Sequence, residues 1–425
     1  MQNNNTLSAP LFFCLACLIG MTESIFICFF SFIFFNQFHL IFIVSTHLIE
    51  IIILFFFARK NIQFTPLSHL WNIKNLSFIF LVLLCGFIAS VFAKAFPYGG
   101  WDAWQVWNFK AKFLLLSQTN WKQLFDPLLW QSSPHYPLAL PLLNAWTWSF
   151  AHGTPSFIPL TNTIIFNMLT AGLIFSVTQY YTRRPYSFAP TLVLFLIPAY
   201  VILTSSQYCD VFLGLFFLAS MITSYHTHKT QKPELLVLTA IFLGLLSFTK
   251  PEGTILAGII FLGNHFHIFQ QEKRYEKIML FWISTLISFL PTLMFLFFFS
   301  PGNQTFINGL TSTTQPSTLL RLKTICAFFI IEITHKKWGF LWLLLFLAAI
   351  LNLNRIFKKE FFAFYFSISI YFMIIFVYYW INTYFKIDWW ISVSLSRILC
   401  SLLPAIILWI SLGVLSKKND VISKE

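Results

Sequence analysis

The chain has 425 residues; 58% are hydrophobic, 10% are charged, and the mean hydropathy is +0.75. A soluble globular protein is rarely so apolar or so poor in charge, and the composition points to a membrane protein. The formal net charge of +13 does not require a nucleic-acid partner, and none is expected, because the basic residues follow the pattern of membrane loops.

The first apolar run, from about residue 11, has no Lys or Arg before it, so it lacks the basic region of a cleavable signal peptide and reads as a retained helix. Apolar stretches long enough for a bilayer then recur along the chain. They predict an all-α polytopic membrane protein of about twelve transmembrane helices, near 11–33, 38–57, 76–96, 156–181, 186–204, 211–228, 235–249, 254–269, 278–299, 338–354, 361–381 and 393–415. Spans must be helical, because lipid offers backbone groups no partners. The whole of 1–425 reads as a single integral membrane domain. Cys14 and Cys17 match C-x-x-C but lie inside a span, and they are expected to be packing residues.

Short alternate connections hold most of the 27 basic residues, which predicts that these loops and both termini are cytoplasmic. Two long segments, 97–155 and 300–337, then face outward and are expected to carry short interfacial helices. Loops of that length are often functional. The stretch 137–150 is too short to span and is expected to be re-entrant or surface-lying, with Trp146 and Trp148 at headgroup depth. On the outward side basic residues outnumber acids, which suggests an anionic ligand.

The segment YGGWDAWQVWNFKAKFLL, 98–115, predicts an amphipathic interfacial helix. Asp102, Gln105, Asn108 and Lys112 would form one stripe, and Trp104, Trp107, Ala111 and Leu114 another. Asp102-x-x-Gln105 equally matches a helix capping box, with Gly99 and Gly100 supplying the turn before it. Three more ionisable motifs come to the same side. They are Tyr208-Cys209-Asp210 at a span entry, Lys250-Pro251-Glu252-Gly253 in a tight turn, and Ser396-Arg397 about a turn inside the last apolar run. A charge at such a boundary points to function, and Arg397 demands a carboxylate or phosphate partner. His226, His228, His265 and His267 fall at cytoplasmic ends, where interface roles are expected rather than metal binding.

Gly100-Trp101-Asp102-Ala103-Trp104, followed by Trp107-Asn108-Phe109-Lys110-Ala111-Lys112, resembles membrane glycosyltransferases of the GT-C class. The branch is the protein mannosyltransferase, aminoarabinose transferase and RgtA/B/C/D-like group. Ser133-Pro134-His135-Tyr136-Pro137-Leu138, Tyr208-Cys209-Asp210, Lys250-Pro251-Glu252-Gly253, Ser396-Arg397 and Leu403-Pro404 resemble further motifs of that branch in the same order. Ala103 stands where protein mannosyltransferases often carry a second acid. The resemblance implies a multi-pass enzyme of the bacterial inner membrane with its active site facing the periplasm. The enzyme would move a sugar from a polyprenyl-phosphate donor to a hydroxyl of a glycan, lipid or protein acceptor. It implies Asp102 as the catalytic base. Trp101, Trp104, Gln105, Asn108, Lys110, Lys112, His135, Tyr136, Asp210, Lys250, Glu252 and Arg397 would bind substrate. Membrane lipids are partners, a divalent cation is left open, and no other cofactor is called for. The alternative is a transporter or flippase of a lipid-linked sugar or anionic lipid, which discontinuous helices in paired halves would favour.

Overall fold

The structure, a computed structural model, describes residues 8–61, 73–182, 185–271, 274–311 and 319–415. Among them the architecture is all-helical, with no strand. In chain order the first helices are α1 (Ala9–Phe35), α2 (Leu40–Asn61), α3 (Ile73–Ala93), α4 (Asn108–Leu116), α5 (Ala139–Trp148) and α6 (Phe157–Thr182). Next come α7 (Ala189–Phe195), α8 (Pro198–Ser205), α9 (Cys209–Thr230), α10 (Pro233–Ser247), α11 (Pro251–Phe269) and α12 (Arg274–Phe298). The last are α13 (Gln304–Thr311), α14 (Leu319–Thr334), α15 (Leu341–Leu351), α16 (Leu353–Ile356), α17 (Phe362–Ile381) and α18 (Ile387–Leu415).

Seven of the described helices (α1, α3, α6, α9, α12, α17 and α18) are long and apolar enough to cross a membrane, which makes this a multi-pass membrane protein. Apolar side chains on α2, α3, α12 and α15 are largely exposed, as a lipid-facing surface requires. The core lies where α9 is enclosed by α6, α10, α11 and α18. From Cys209 to His228 every residue of α9 is buried. At Gly214 a side chain would collide with the Ser401 carbonyl, so the small residue lets α9 and α18 approach closely. Proline in the first turn starts α1, α7, α8, α10 and α11, where its missing N–H costs nothing.

Several expected spans take another form. The stretch 186–204 is not one helix but α7 and α8, broken at Leu196 and Ile197, with Pro198 unable to continue the first helix. The stretch 338–354 becomes α15 and the one-turn α16. The segment 300–337 is not simply a loop. Arg321 on α14 donates to the carbonyls of Tyr379 (3.0 Å) and Asn382 (2.6 Å), at the end of α17. Lys337, just beyond α14, bonds Ser396 of α18 at 2.5 Å. Thus α14 runs alongside α17 and α18, and the 3₁₀ turn Lys336–Trp338 separates it from α15. The stretch 137–150 contains only the ten-residue α5, too short to span, as expected. Trp148, however, is buried and its Nε1 donates to the Pro155 carbonyl at 2.9 Å, so it is a packing residue rather than a headgroup anchor.

Candidate functional site

The starts of α9 and α11 are adjacent, with Cys209 Sγ donating to the Thr249 carbonyl at 3.7 Å, and Arg397, about ten residues into α18, reaches the start of α9. Here the separate ionisable motifs converge. Asp210, in the first turn of α9, accepts from Arg397 Nε (3.0 Å) and Nη2 (2.8 Å) on Oδ2, and from Lys250 Nζ (3.1 Å) on Oδ1. Arg397 Nη2 also meets Asp102 Oδ2 at 2.7 Å, and Lys250 Nζ lies 3.4 Å from Glu252 Oε1. The result is a chain, Asp102–Arg397–Asp210–Lys250–Glu252. Its middle is buried, with Asp210 and Lys250 side chains 9% and 6% exposed, while Asp102 and Glu252 at its ends are 23% and 28% exposed. Arg397 is 20% exposed, so the partly exposed members are two carboxylates and one guanidinium.

Three carboxylates face two cations, so the cluster is net negative by one and both cations are shared. Burial alone would depress the Lys250 amine, but Asp210 and then Glu252 outweigh it and hold its pKa above the ordinary lysine value. The Arg397 guanidinium also lies over the Tyr208 ring, 4.5 Å from its centroid. Burial, followed by the nearby Asp102 charge, raises the Tyr208 hydroxyl.

Asp102 is not a helix cap. Its backbone is already helical (φ −63°, ψ −28°) and its side chain accepts no capping hydrogen bond. A π turn, Ala103–Trp107, opens the helix, with the Asn108 N–H reaching back to the Ala103 carbonyl. Such turns add a residue to the helical register and recur at functional sites. The even stripes expected from 100° spacing are therefore disrupted. Trp107, Ala111 and Leu114 are buried, whereas Trp104 is exposed and packs edge-on against exposed Trp101, with centroids 4.6 Å apart. Gly99 (φ 75°) and Gly100 do make the preceding turn, and the Gly100 N–H donates to the Ser206 carbonyl at 2.9 Å.

The remaining expected residues divide into three groups. Asn108 belongs to a chain of amides. It donates to Gln207 Oε1 (3.3 Å) and accepts from Asn144 (3.0 Å), whose own oxygen accepts from Asn162 (2.9 Å). Gln105 meets Gln131 at 3.5 Å. Lys110 and Lys112 do not join the charge cluster. Lys112 is exposed over the Trp148 ring, and Lys110 is buried, donating to the carbonyls of Ser133 (2.7 Å) and Tyr136 (3.1 Å). His135 and Tyr136 line a cavity of about 870 Å³ between α11, α12, α17 and α18, with Glu252 also in its wall. The rest of that wall is mainly apolar and aromatic, including Phe306, Met373, Tyr378 and Trp390. Glu252 Oε2 is buried and has no hydrogen-bond partner. Burial, reinforced by the charge of Lys110, lowers the His135 pKa to about 4 and keeps the ring neutral. Burial, then the Glu252 charge, raises the Tyr136 hydroxyl.

Sequence reasoning did not single out Gln207, which adopts φ 58° and donates to the carbonyls of Phe96 (3.1 Å) and Pro97 (3.3 Å). It also did not foresee the Glu332 group, in which Glu332 Oε1 accepts from Ser396 (2.6 Å) and Trp338 (2.8 Å) and pairs with Lys337 (2.8 Å). An acid and a lysine five residues apart at an apolar edge were the available signal. Among the described residues, no group of three or more His, Cys, Asp or Glu is placed to hold a metal ion.

No protein-family model, curated protein or solved structure matches this chain.

Proposed function

We propose that the protein is a GT-C-like glycosyltransferase, moving a sugar from a polyprenyl-phosphate donor to an acceptor hydroxyl at the outer, periplasmic face of a bacterial inner membrane. The observation that carries this reading is Asp102, an accessible carboxylate at the end of a buried ion chain. Glu252, at the other end, opens into a mainly apolar cavity. An amphipathic donor suits such a pair of environments. Its hydrocarbon would occupy the cavity and its polar head would meet the charged chain.

In the proposed reaction Asp102 accepts the acceptor hydroxyl proton as that oxygen bonds to the anomeric carbon. The bond from that carbon to the donor phosphate oxygen breaks, and the phosphate leaves with its electron pair. Arg397 uses Nε and Nη2 in the ion chain, and its side chain is 20% exposed. It is the cation available to the leaving phosphate. Arg397 would link the two events, since the proton that neutralises Asp102 frees charge on the guanidinium. The test is transfer of labelled sugar from polyprenyl-phosphate monosaccharides by the purified chain in nanodiscs. Mass spectrometry of envelope glycans, with and without the gene, would identify the acceptor.

One observation favours the second reading, transport of a lipid-linked sugar. Two helices are discontinuous, α7/α8 and α14/α15, and the Lys336–Trp338 turn of the second break packs on α8. Glu332 and Lys337 at that break are already paired with each other. A transport assay on vesicles containing the same labelled lipids separates the two readings. Movement of intact donor between leaflets without sugar transfer would establish transport.

A further inference from the structure

Lys110 is the one lysine expected at the site that the structure buries without a carboxylate. Its ammonium group bonds two backbone carbonyls, those of Ser133 and Tyr136, and lies 5.8 Å from the Tyr136 ring centroid. Those carbonyls bound one tight turn, because the Tyr136 N–H also donates to the Ser133 carbonyl at 2.9 Å. Ser133 holds φ 51°, a left-handed conformation that a non-glycine residue keeps only when its surroundings enforce it. Within this turn stand His135 and Tyr136, both in the cavity wall with Glu252. Tyr136 also stacks on buried Trp107, with centroids 5.7 Å apart, so the turn is tied to the segment that carries Asp102. On its far side Ser300 Oγ donates to the His135 carbonyl at 3.4 Å.

We infer that Lys110 is a positioning residue: it clamps the 133–136 turn and thereby sets where His135 and Tyr136 stand in the cavity wall, without touching substrate. The clamp does not depend on the proposed transfer reaction; its consequence for the donor does. Other groups facing Lys110 are few. His135 and Tyr136 come from the turn, Cys209 from α9, and α5 contributes no titratable side chain. Lys112 lies on the same helix, Lys122 follows it, and the charge chain begins beyond Tyr136.

Burial, only weakly opposed by Cys209, lowers the Lys110 pKa to about 7. Opening the turn to water would restore the ordinary lysine value, so the open form binds one more proton than the closed form above pH 7. The closed form should therefore gain on the open one as pH rises, by up to about tenfold per pH unit. Carbonyls alone, without a titrating clamp, would give no such slope.

The test is hydrogen exchange across 133–138 in the full chain in nanodiscs, corrected for intrinsic rates. In the unaltered protein, protection should rise between pH 7 and 8.5. In Lys110→Met it should be lower by about tenfold and flat with pH, with Lys110→Arg recovering part of the protection at pH 7. Equal protection in Lys110→Met, or a flat profile in the unaltered protein, overturns the clamp. Because the second result needs no variant, misfolding of Lys110→Met cannot shield the inference. A parallel arm measures binding of polyprenyl phosphate, expected to be about tenfold weaker in Lys110→Met. If the exchange results hold while the unaltered protein binds no polyprenyl phosphate, the clamp stands and the donor assignment falls.

Discussion

The two ends of α9 carry different chemistry. At its start, Asp210 is gripped by Arg397 and Lys250, and the ion chain ends in two partly exposed carboxylates, of which Glu252 lines a cavity. Near its other end, His226 bonds the Tyr181 hydroxyl at 2.8 Å, and the rings of His228 and His267 stack with centroids 3.6 Å apart. Lys229 pairs there with Glu360 and lies over the rings of Tyr181 and Tyr225. Both ends bury polar groups inside a membrane protein. At the first, full charges are arranged so that some remain approachable. At the second, largely aromatic groups are packed on one another. The buried charges of the first end are costly and argue for use, whereas the second end holds one more exposed ion pair, Lys229–Glu360, and rings that packing alone explains.

The contrast can be broken from either end. The largest effect is expected on stability, from Asp210→Asn. That change leaves Lys250 and Arg397 with only the outer carboxylates, and breaking a buried pair costs about 3–5 kcal/mol. Thermal unfolding in detergent should show it, and an unchanged melting temperature would mean that Asp210 is not the centre of the chain. Glu252→Gln keeps the shape but removes the charge at the cavity. With its unpartnered Oε2 accepting a donor sugar hydroxyl, Glu252 would contribute one charge-assisted hydrogen bond, so the change should weaken donor binding by about tenfold. The smallest effect belongs to the far end. Tyr181→Phe removes one hydrogen bond and should cost about 1 kcal/mol or less, with transfer unaltered. Loss of transfer in that variant would show that the two ends are coupled.

Much of the first end was legible in the sequence, for a physical reason. Asp102, Asp210, Lys250, Glu252 and Arg397 are ionisable residues at the edges of apolar runs, where an unpaired charge is expensive, so each had to have a partner. Which partner was not legible, because the residues are up to 295 positions apart and only the packing of α9, α11 and α18 joins them. The surplus of carboxylates in the cluster was also hidden, since the outward side as a whole is basic. The π turn escaped the reading because it breaks the 100° register on which the Trp104–Trp107 stripe was drawn. The same assumption of regular helices joined α7 to α8 and left α14 inside a loop. The burial of Lys110 was not legible because its sequence neighbours say only that it is a cation near an interface. Its buried carbonyl partners come from a turn more than 20 residues away.

The central claim is that Asp102 performs chemistry and does not merely hold the segment in place. The direct measurement is the rate of sugar release from a labelled polyprenyl-phosphate donor by the unaltered chain and by Asp102→Asn, in nanodiscs, with melting temperatures taken alongside. Asn retains the size of Asp and loses the base, and Arg397 keeps its two hydrogen bonds to Asp210, so the loss of the partly exposed pair should cost about 1 kcal/mol. Release should be at least about 100-fold slower in the variant, within the range assigned to a general base, with little change in melting. Equal rates in the two proteins would contradict it.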